Sequence, residues 1–400
     1  MLPPTQGPKP RLPATIWALG FVSLLMDVSS ELIHSLLPVF MVTVLGSSML
    51  TVGLIEGVAE ATALIVKMFS GALSDWWGRR KPLTVLGYSM GALCKPLFAL
   101  ASTADMVFTA RVLDRVGKGI RGAPRDALIA DIAPPSMRGA AFGLRQSLDT
   151  IGAFLGPLLA IALMVLWAND FRAVFWVAVI PAALCVALLI FGVQEPESNR
   201  TREPFKLSLW AHRHALQTPF WWVVALGAAL TLARLSEAFL VLRAQQDGLA
   251  LAWAPMVLIV MNLVYAGLAY PFGKLSDRIP ATQLLFGGLV VLIGADLLLA
   301  AGGWQVWAGI ALWGLHMAMT QGLLSALVAG TSPPELRGSA FGFFYLASGA
   351  ALLVGSAGAG WIWDLYGAPA TFYAGALCSG LALVLLTIKR VSIATSRNTC

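Results

Sequence analysis

Twelve long apolar runs separated by short polar loops constrain this chain more than any other feature. They fall at about 14–44, 49–74, 82–103, 106–131, 140–168 and 172–193, and again at about 219–244, 250–273, 281–301, 303–329, 338–362 and 367–388. A helix crosses the hydrocarbon core of a bilayer with about 20 apolar residues, so every run is long enough to span. In lipid only helices and closed barrels satisfy all their backbone polar groups. These runs are continuously apolar instead of alternating over about ten residues, which argues against barrel strands. The expectation is an all-α integral membrane protein of twelve transmembrane helices.

Composition agrees. Charged residues make up 12% of the chain and hydrophobic residues 58%, against about 25% charged in soluble domains. Too few polar side chains exist to cover a water-facing surface, and little chain remains for a separate catalytic domain. The net charge of +7 sits in short loops, a pattern of membrane topology and not of nucleic-acid binding. Cys94, Cys185, Cys378 and Cys400 are scattered, without metal-ligand spacing or a disulfide framework. The first run holds Asp27 and Glu31 and leads into another span, unlike a cleaved signal peptide. No P-loop sequence is present, so nucleotide hydrolysis is not implied. No cofactor and no enzymatic activity are expected.

Loop charges orient the spans. Arg79, Arg80, Lys81, Arg138, Lys274 and Arg278, with Lys9, Arg11, Lys389, Arg390 and Arg397 in the tails, all fall on one side. The other side carries little beyond Arg172 and Arg243. By the positive-inside rule both termini and the central loop are cytoplasmic, in a multi-pass protein of a bacterial-type inner membrane. The expected division is an N-terminal six-helix bundle at 1–193, a cytoplasmic linker at 194–218 and a C-terminal bundle with a short tail at 219–400. His212 and His214 in the linker suit a metal poorly without further ligands.

The two halves repeat each other. Gly71-Ala-Leu-Ser-Asp75 recurs as Gly273-Lys-Leu-Ser-Asp277. Asp126-Ala-Leu-Ile-Ala-Asp-Ile-Ala-Pro-Pro-Ser-Met-Arg-Gly-Ala-Ala-Phe-Gly143 returns as Ser325-Ala-Leu-Val-Ala-Gly-Thr-Ser-Pro-Pro-Glu-Leu-Arg-Gly-Ser-Ala-Phe-Gly342. Duplicated six-helix units can rock against one another around a site at their interface and expose it to each side in turn. Transport is favoured over a channel or an integral enzyme.

Over essentially its full length the chain resembles a major facilitator superfamily transporter. Gly71-Ala-Leu-Ser-Asp-Trp-Trp-Gly-Arg-Arg-Lys81 is similar to that superfamily's signature between helices two and three, and the second copy is degraded after Asp277-Arg278. Arg115-Val-Gly-Lys-Gly119 resembles the RxxxG element of proton-coupled members. Gly152-Ala-Phe-Leu-Gly-Pro157 resembles the GxxxGP motif of antiporters, although Leu158-Leu159-Ala160 follow where glycines are usual. Gly117-Lys-Gly-Ile-Arg-Gly-Ala-Pro-Arg-Asp-Ala-Leu128 is similar to a prokaryotic permease subgroup. The resemblance implies two pseudo-symmetric bundles of the drug:proton antiporter type.

It also implies a conformational latch formed by Gly71, Asp75, Gly78, Arg79, Arg80 and Asp277. A carboxylate at Asp75 can pair with Arg79 and face the positive N-terminus of another helix. By resemblance that helix is span eleven near Gly338-Ser339, while Asp277 would face span five near Gly139-Ala140. Gly152 and Gly156 are four apart on one helix face, which permits close backbone approach, and Pro157 loosens the local hydrogen bonding. By resemblance this motif blocks a leak between the halves.

Twelve ionisable residues lie inside the first six spans: Asp27, Glu31, Glu56, Glu60, Asp114, Asp149, Lys67, Lys95, Arg111, Arg115, Lys118 and Arg145. At about 2.5–3.5 kcal/mol each, isolated charges would cost roughly 30–40 kcal/mol, beyond the roughly 5–15 kcal/mol by which proteins are stable. They must be paired, neutralised or facing water. Asp27, Glu31 and His34 share one face of span one, Glu56 and Glu60 one face of span two, and Arg111, Arg115 and Lys118 one face of span four. Arg145 and Asp149 can pair within span five, while Lys67 and Lys95 can snorkel. Burial disfavours the charged form of a carboxyl, so Asp27 and Glu31 are the leading candidates for proton coupling or cation binding. By resemblance, Arg115 modulates them.

The second half is poorer in charge. Its candidate cavity residues are Glu237, Asn262, Tyr265, Trp313, His316, Phe344 and Tyr345, with Arg234 and Asp296 as further intramembrane charges. The expected function is secondary active transport by alternating access, exporting a small organic solute or drug in exchange for protons. Partners are that solute, protons and the lipid bilayer, with the chain expected as a monomer. A proton-coupled importer and a permease for a metal ion or siderophore-like chelate, using His34, His316, Met317 and Met319, stay open as alternatives. Acidic residues suit a cationic substrate, whereas Arg111, Arg115 and Lys118 suit an anion.

Overall fold

The structure is a computed structural model of the 400-residue chain and describes residues 12–134, 137–195, 216–276, 278–321, 323–333 and 336–397. The extreme termini, most of the linker with His212 and His214, the Asp75 side chain and Asp277 lie outside the described residues. The first six spans are α1 (Ala14–His34) continued by α2 (Leu37–Thr43), α3 (Met49–Trp77), α4 (Lys81–Leu100), α5 (Ala104–Ile132), α6 (Arg138–Leu166), and α7 (Phe171–Val177) continued by α8 (Val179–Gly192). The last six are α9 (Thr218–Ala233) with α10 (Glu237–Gln246), α11 (Met256–Ser276) after a 3-10 turn at Leu251–Trp253, α12 (Ala281–Ala301), α13 (Gln305–Thr320) with α14 (Leu323–Thr331), α15 (Arg337–Tyr366) and α16 (Ala368–Arg397).

Among the described residues eleven segments are long and apolar enough to cross a bilayer on length and composition alone. The remaining span, α5, is too charged for that, yet Arg111, Asp114, Arg115 and Arg121 on it are at most 6% exposed. The bundle interior, not lipid, surrounds them.

Local chemistry sets the helix boundaries. The Ser48 hydroxyl accepts from the Thr51 amide at 3.1 Å and caps α3, the side-chain capping that frees helix starts from unsatisfied donors. At its other end α3 stops at Gly78, whose φ of 70° lies in the left-handed region that glycine enters without a Cβ clash. Arg80 then pairs with Asp131 on α5 at 2.7 Å, its amide donates to Glu195 Oε1 at 2.5 Å, and Lys81 Nζ donates to the Ile190 carbonyl at 2.8 Å. These basic side chains tie the turn to the ends of α5 and α8 within the first half. The end that carries this turn and the start of α1 is termed the basic end, and the opposite one the far end.

Several spans expected to be continuous are broken. Span seven opens at Arg234–Ser236, where the Ser236 hydroxyl accepts from the Ala238 amide at 3.3 Å and starts α10 afresh. Span ten opens at Gln321, between α13 and α14. Broken helices at membrane depth are tolerated where they line a cavity instead of facing lipid.

The cores reveal the shape. At the far end one continuous apolar core joins both halves, with Leu32, Leu36, Phe40 and Phe175 from the first and Phe239, Leu242, Trp313 and Trp363 from the last. Toward the basic end that core divides. Ile16, Leu19, Tyr88 and Leu189 form a core within the first half, while Phe220, Val328 and Phe343, and separately Leu226, Leu285 and Leu386, form cores within the last. The halves are fused at the far end and separately packed at the basic end. Small residues hold the seam between α3 and α15: an ideal Cβ on Gly57 would lie 3.0 Å from Leu353 Cα. At the far end of that seam both Asp364 oxygens accept the Met49 and Leu50 amides, at 3.0 and 2.9 Å.

Candidate functional site: a charged central cavity

Between the halves lies a cavity of about 650 Å³. From the first half it is lined by Glu31, His34, Glu56, Glu60, Arg111, Arg115 and Lys118. From the last half come Arg234, Glu237, His316, Phe344 and the start of α10. The break in span seven is what places Arg234 and Glu237 there, since both flank it.

Most of the twelve intramembrane charges neutralise one another. Arg111 Nη2 donates to Glu56 Oε2 at 2.6 Å, and Arg115 Nη2 lies 3.2 Å from Glu60 Oε1. Lys95 Nζ donates to Asp114 Oδ1 and to Ser30 Oγ, each at 3.0 Å. Arg145 pairs with Asp149 one turn along α6. A fully desolvated ion survives only with such a partner. Lys95 is therefore corrected from a snorkelling residue to a buried partner of Asp114, at 0% exposure. Lys67 is exposed and lies over the Tyr345 ring, 5.8 Å from its centroid.

The pairing leaves Asp27, Glu31 and Lys118 over. Among the described residues Asp27 and Lys118 form no ion pair, and within ion-pair distance Glu31 meets only His34 Nδ1, at 3.9 Å. That nitrogen also meets Arg115 Nη2 at 3.3 Å. Arginine only donates, so Nδ1 is the acceptor and carries no proton for Glu31. Glu31 is an unpaired carboxylate on the cavity wall. Lys118 is an unpaired ammonium on the same wall.

The GxxxGP segment acts on these acids directly. An ideal Cβ on Gly152 would sit 2.9 Å from Asp27 Cβ and 2.7 Å from the Leu24 carbonyl oxygen. One on Gly156 would sit 2.8 Å from Glu31 Cβ and 2.9 Å from the Val28 carbonyl oxygen. The glycine face thus seats α6 on α1 inside the first half. The seam between the halves at α3 and α15 is built from other residues.

Some expected site residues fall elsewhere. Asp27 is not on the cavity wall but one turn from Glu31, against α6. Arg145 and Asp149 are also off the wall, in a cluster where Arg145 Nη1 meets Asp126 Oδ1 at 3.2 Å. Trp313 is fully buried in the far-end core. Asn262 and Tyr265 on α11 and Tyr345, which packs on Phe341 and Phe344, do not line this cavity either. His316 does, with Nδ1 donating to the Gly288 carbonyl at 2.8 Å. Among the described residues no group of three or more His, Cys, Asp or Glu side chains is placed to hold a metal ion.

Sequence reasoning missed the continuation of the basic stripe. Arg121 stacks on the Tyr88 ring at 4.6 Å, and Arg125 Nη1 donates to Tyr88 Oη and Ser23 Oγ, each at 3.2 Å. Both continue the spacing of Arg111, Arg115 and Lys118 along α5, a signal present in the sequence. Asp364 carried no such signal.

Twelve membrane-crossing helices in two halves, fused at one end around a charged cavity, define a membrane transport protein. The sequence matches the model of the Major Facilitator Superfamily over residues 19–324 and 246–399. An uncharacterised MFS-type transporter of Methanocaldococcus jannaschii is 30% identical over 387 residues, covering 94% of this chain and 95% of that protein. The multidrug resistance protein MdtH of Proteus mirabilis is 26% identical over 357 residues, covering 86% and 85%. Among solved structures, the nucleoside transporter NupG superposes with a TM-score of 0.78 at 14% identity over 94% and 99% of the two chains. A bacterial homologue of the human lysosomal transporter Spinster gives 0.74 at 16% identity over 96% and 97%. The chain belongs to the major facilitator superfamily and is a multi-pass secondary transporter.

Proposed function

We propose that this transporter exports a small organic solute in exchange for protons across a bacterial-type inner membrane. The observation that carries the reading is Glu31, an unpaired carboxylate opening on a large cavity within the membrane span. A carboxylate there is costly to leave charged and unpaired, so it binds either a proton or the cationic group of a solute, and one displaces the other. Asp27, one turn nearer the basic end, extends the acidic face toward that end. The multidrug resistance name of the MdtH relatives supports efflux.

The loop cations assign the basic end, with both termini, to the cytoplasm. The fused far-end core and separate basic-end cores then correspond to a cytoplasm-facing state. The six-helix halves, 1–193 and 219–400, are the units that rock, about the seam of α3 and α15. The transporter acts as a monomer, with the Asp75 and Asp277 segments as latches of the opposite state.

The test is purified protein in proteoliposomes with an internal pH dye, screened against pools of organic compounds. Wild-type vesicles are expected to show solute-dependent proton flux that Glu31→Gln abolishes and Asp27→Asn slows. Proton flux that no solute and neither substitution changes would remove proton exchange from the account.

A further inference from the structure

Resting on the proposed exporter reading, the cavity's leftover charges specify a class of substrate. We infer that the cavity takes a zwitterion with an apolar body, its cationic group on Glu31 and its anionic group on Lys118. The three other charge pairs on the wall, Arg111 with Glu56, Arg115 with Glu60 and Arg234 with Glu237, balance in charge at 2.6, 3.2 and 3.2 Å. The charges on the wall left without an opposite charge are one carboxylate and one ammonium, both on the first half and both reaching the cavity.

Glu31 and Lys118 are not within ion-pair distance of each other, so neither cancels the other in place. A ligand bearing both charges bridges that gap. A cation satisfies Glu31 but brings a like charge toward Lys118, and an anion meets the reverse penalty. In a partly desolvated site those penalties are larger than in water. The opposite wall supplies the remaining selectivity. Leu230, Leu235, Val241, Leu258 and Phe344 are apolar, and covering them with an apolar body removes apolar surface from water. The volume of about 650 Å³ lies in the range of about 300–1,000 Å³ that holds drug-sized ligands, far more than a charged head alone requires.

The test uses three matched probes on one scaffold: 4-phenyl-L-phenylalanine, its methyl ester as the cation, and its N-acetyl derivative as the anion. Binding to full-length protein in detergent at pH 7 is read by microscale thermophoresis, without any gradient. The zwitterion is expected to bind at least tenfold tighter than either monopole. Lys118→Gln is expected to erase its advantage over the ester while Lys118→Arg keeps it, and Glu31→Gln to erase its advantage over the N-acetyl compound. The inference is overturned if either monopole binds as tightly as the zwitterion, if Lys118→Gln leaves the ranking unchanged, or if none of the three binds. Proteoliposome flux separates this from the broader reading. Zwitterion binding without proton movement refutes exchange and leaves the binding class standing; proton flux driven only by monopolar solutes does the opposite.

Discussion

Asp364 offers a direct handle on the conformational balance. Its carboxylate receives the Met49 and Leu50 amides at 3.0 and 2.9 Å, so a residue of α15 caps the start of α3 from the opposite half. On the proposed rocking of the halves, the bond breaks when the far end opens. Losing a capping side chain costs about 0.5–2 kcal/mol, and a charge at a helix N-terminus adds about 0.3–1 kcal/mol. Because Asp364 is exposed, water replaces part of that, and about 1 kcal/mol is the expected net. That corresponds to about a fivefold shift away from the far-end-closed state. Spin labels at Val44 and Trp304, both exposed at the far end, can read the change by pulsed dipolar spectroscopy in a background with Cys378 and Cys400 replaced by serine. Asp364→Asn, which keeps one acceptor, should widen the far-end distance distribution partly, and Asp364→Ala more. Identical distributions in all three proteins would refute the latch.

Two further outcomes follow from the packing. Arg111→Met leaves Glu56 buried without its cation and should destabilise by about 3–5 kcal/mol, whereas Arg111→Met with Glu56→Gln should recover most of that; thermal unfolding in detergent measures both, and a double variant no better than the single would count against the pairing. Gly156→Val drives a side chain into the Val28 carbonyl and Glu31 and should cost about 1–3 kcal/mol. Gly143→Val, with nothing within 4 Å of its Cβ position, should stay within about 0.5 kcal/mol of wild type by the same melting assay.

The solvent, the number of spans and their duplication are legible in the sequence, because hydrophobic length and repeated motifs are local properties of the chain. The sequence also required the intramembrane charges to find partners, since an isolated ion in lipid is too costly. Arg145 with Asp149 was legible, being one helical turn apart. Which distant residues would meet was not. Lys95 reached Asp114, and Glu56 and Glu60 took up Arg111 and Arg115, through the packing of α3 and α4 on α5. That pairing leaves Asp27, Glu31 and Lys118 over, and the packing of α1 on α6 keeps Asp27 off the cavity wall that the other two reach. The break in span seven and the Asp364 cap likewise depend on contacts between segments far apart in sequence. Hydropathy says that a charge needs a partner; three-dimensional packing decides which charges are left without one.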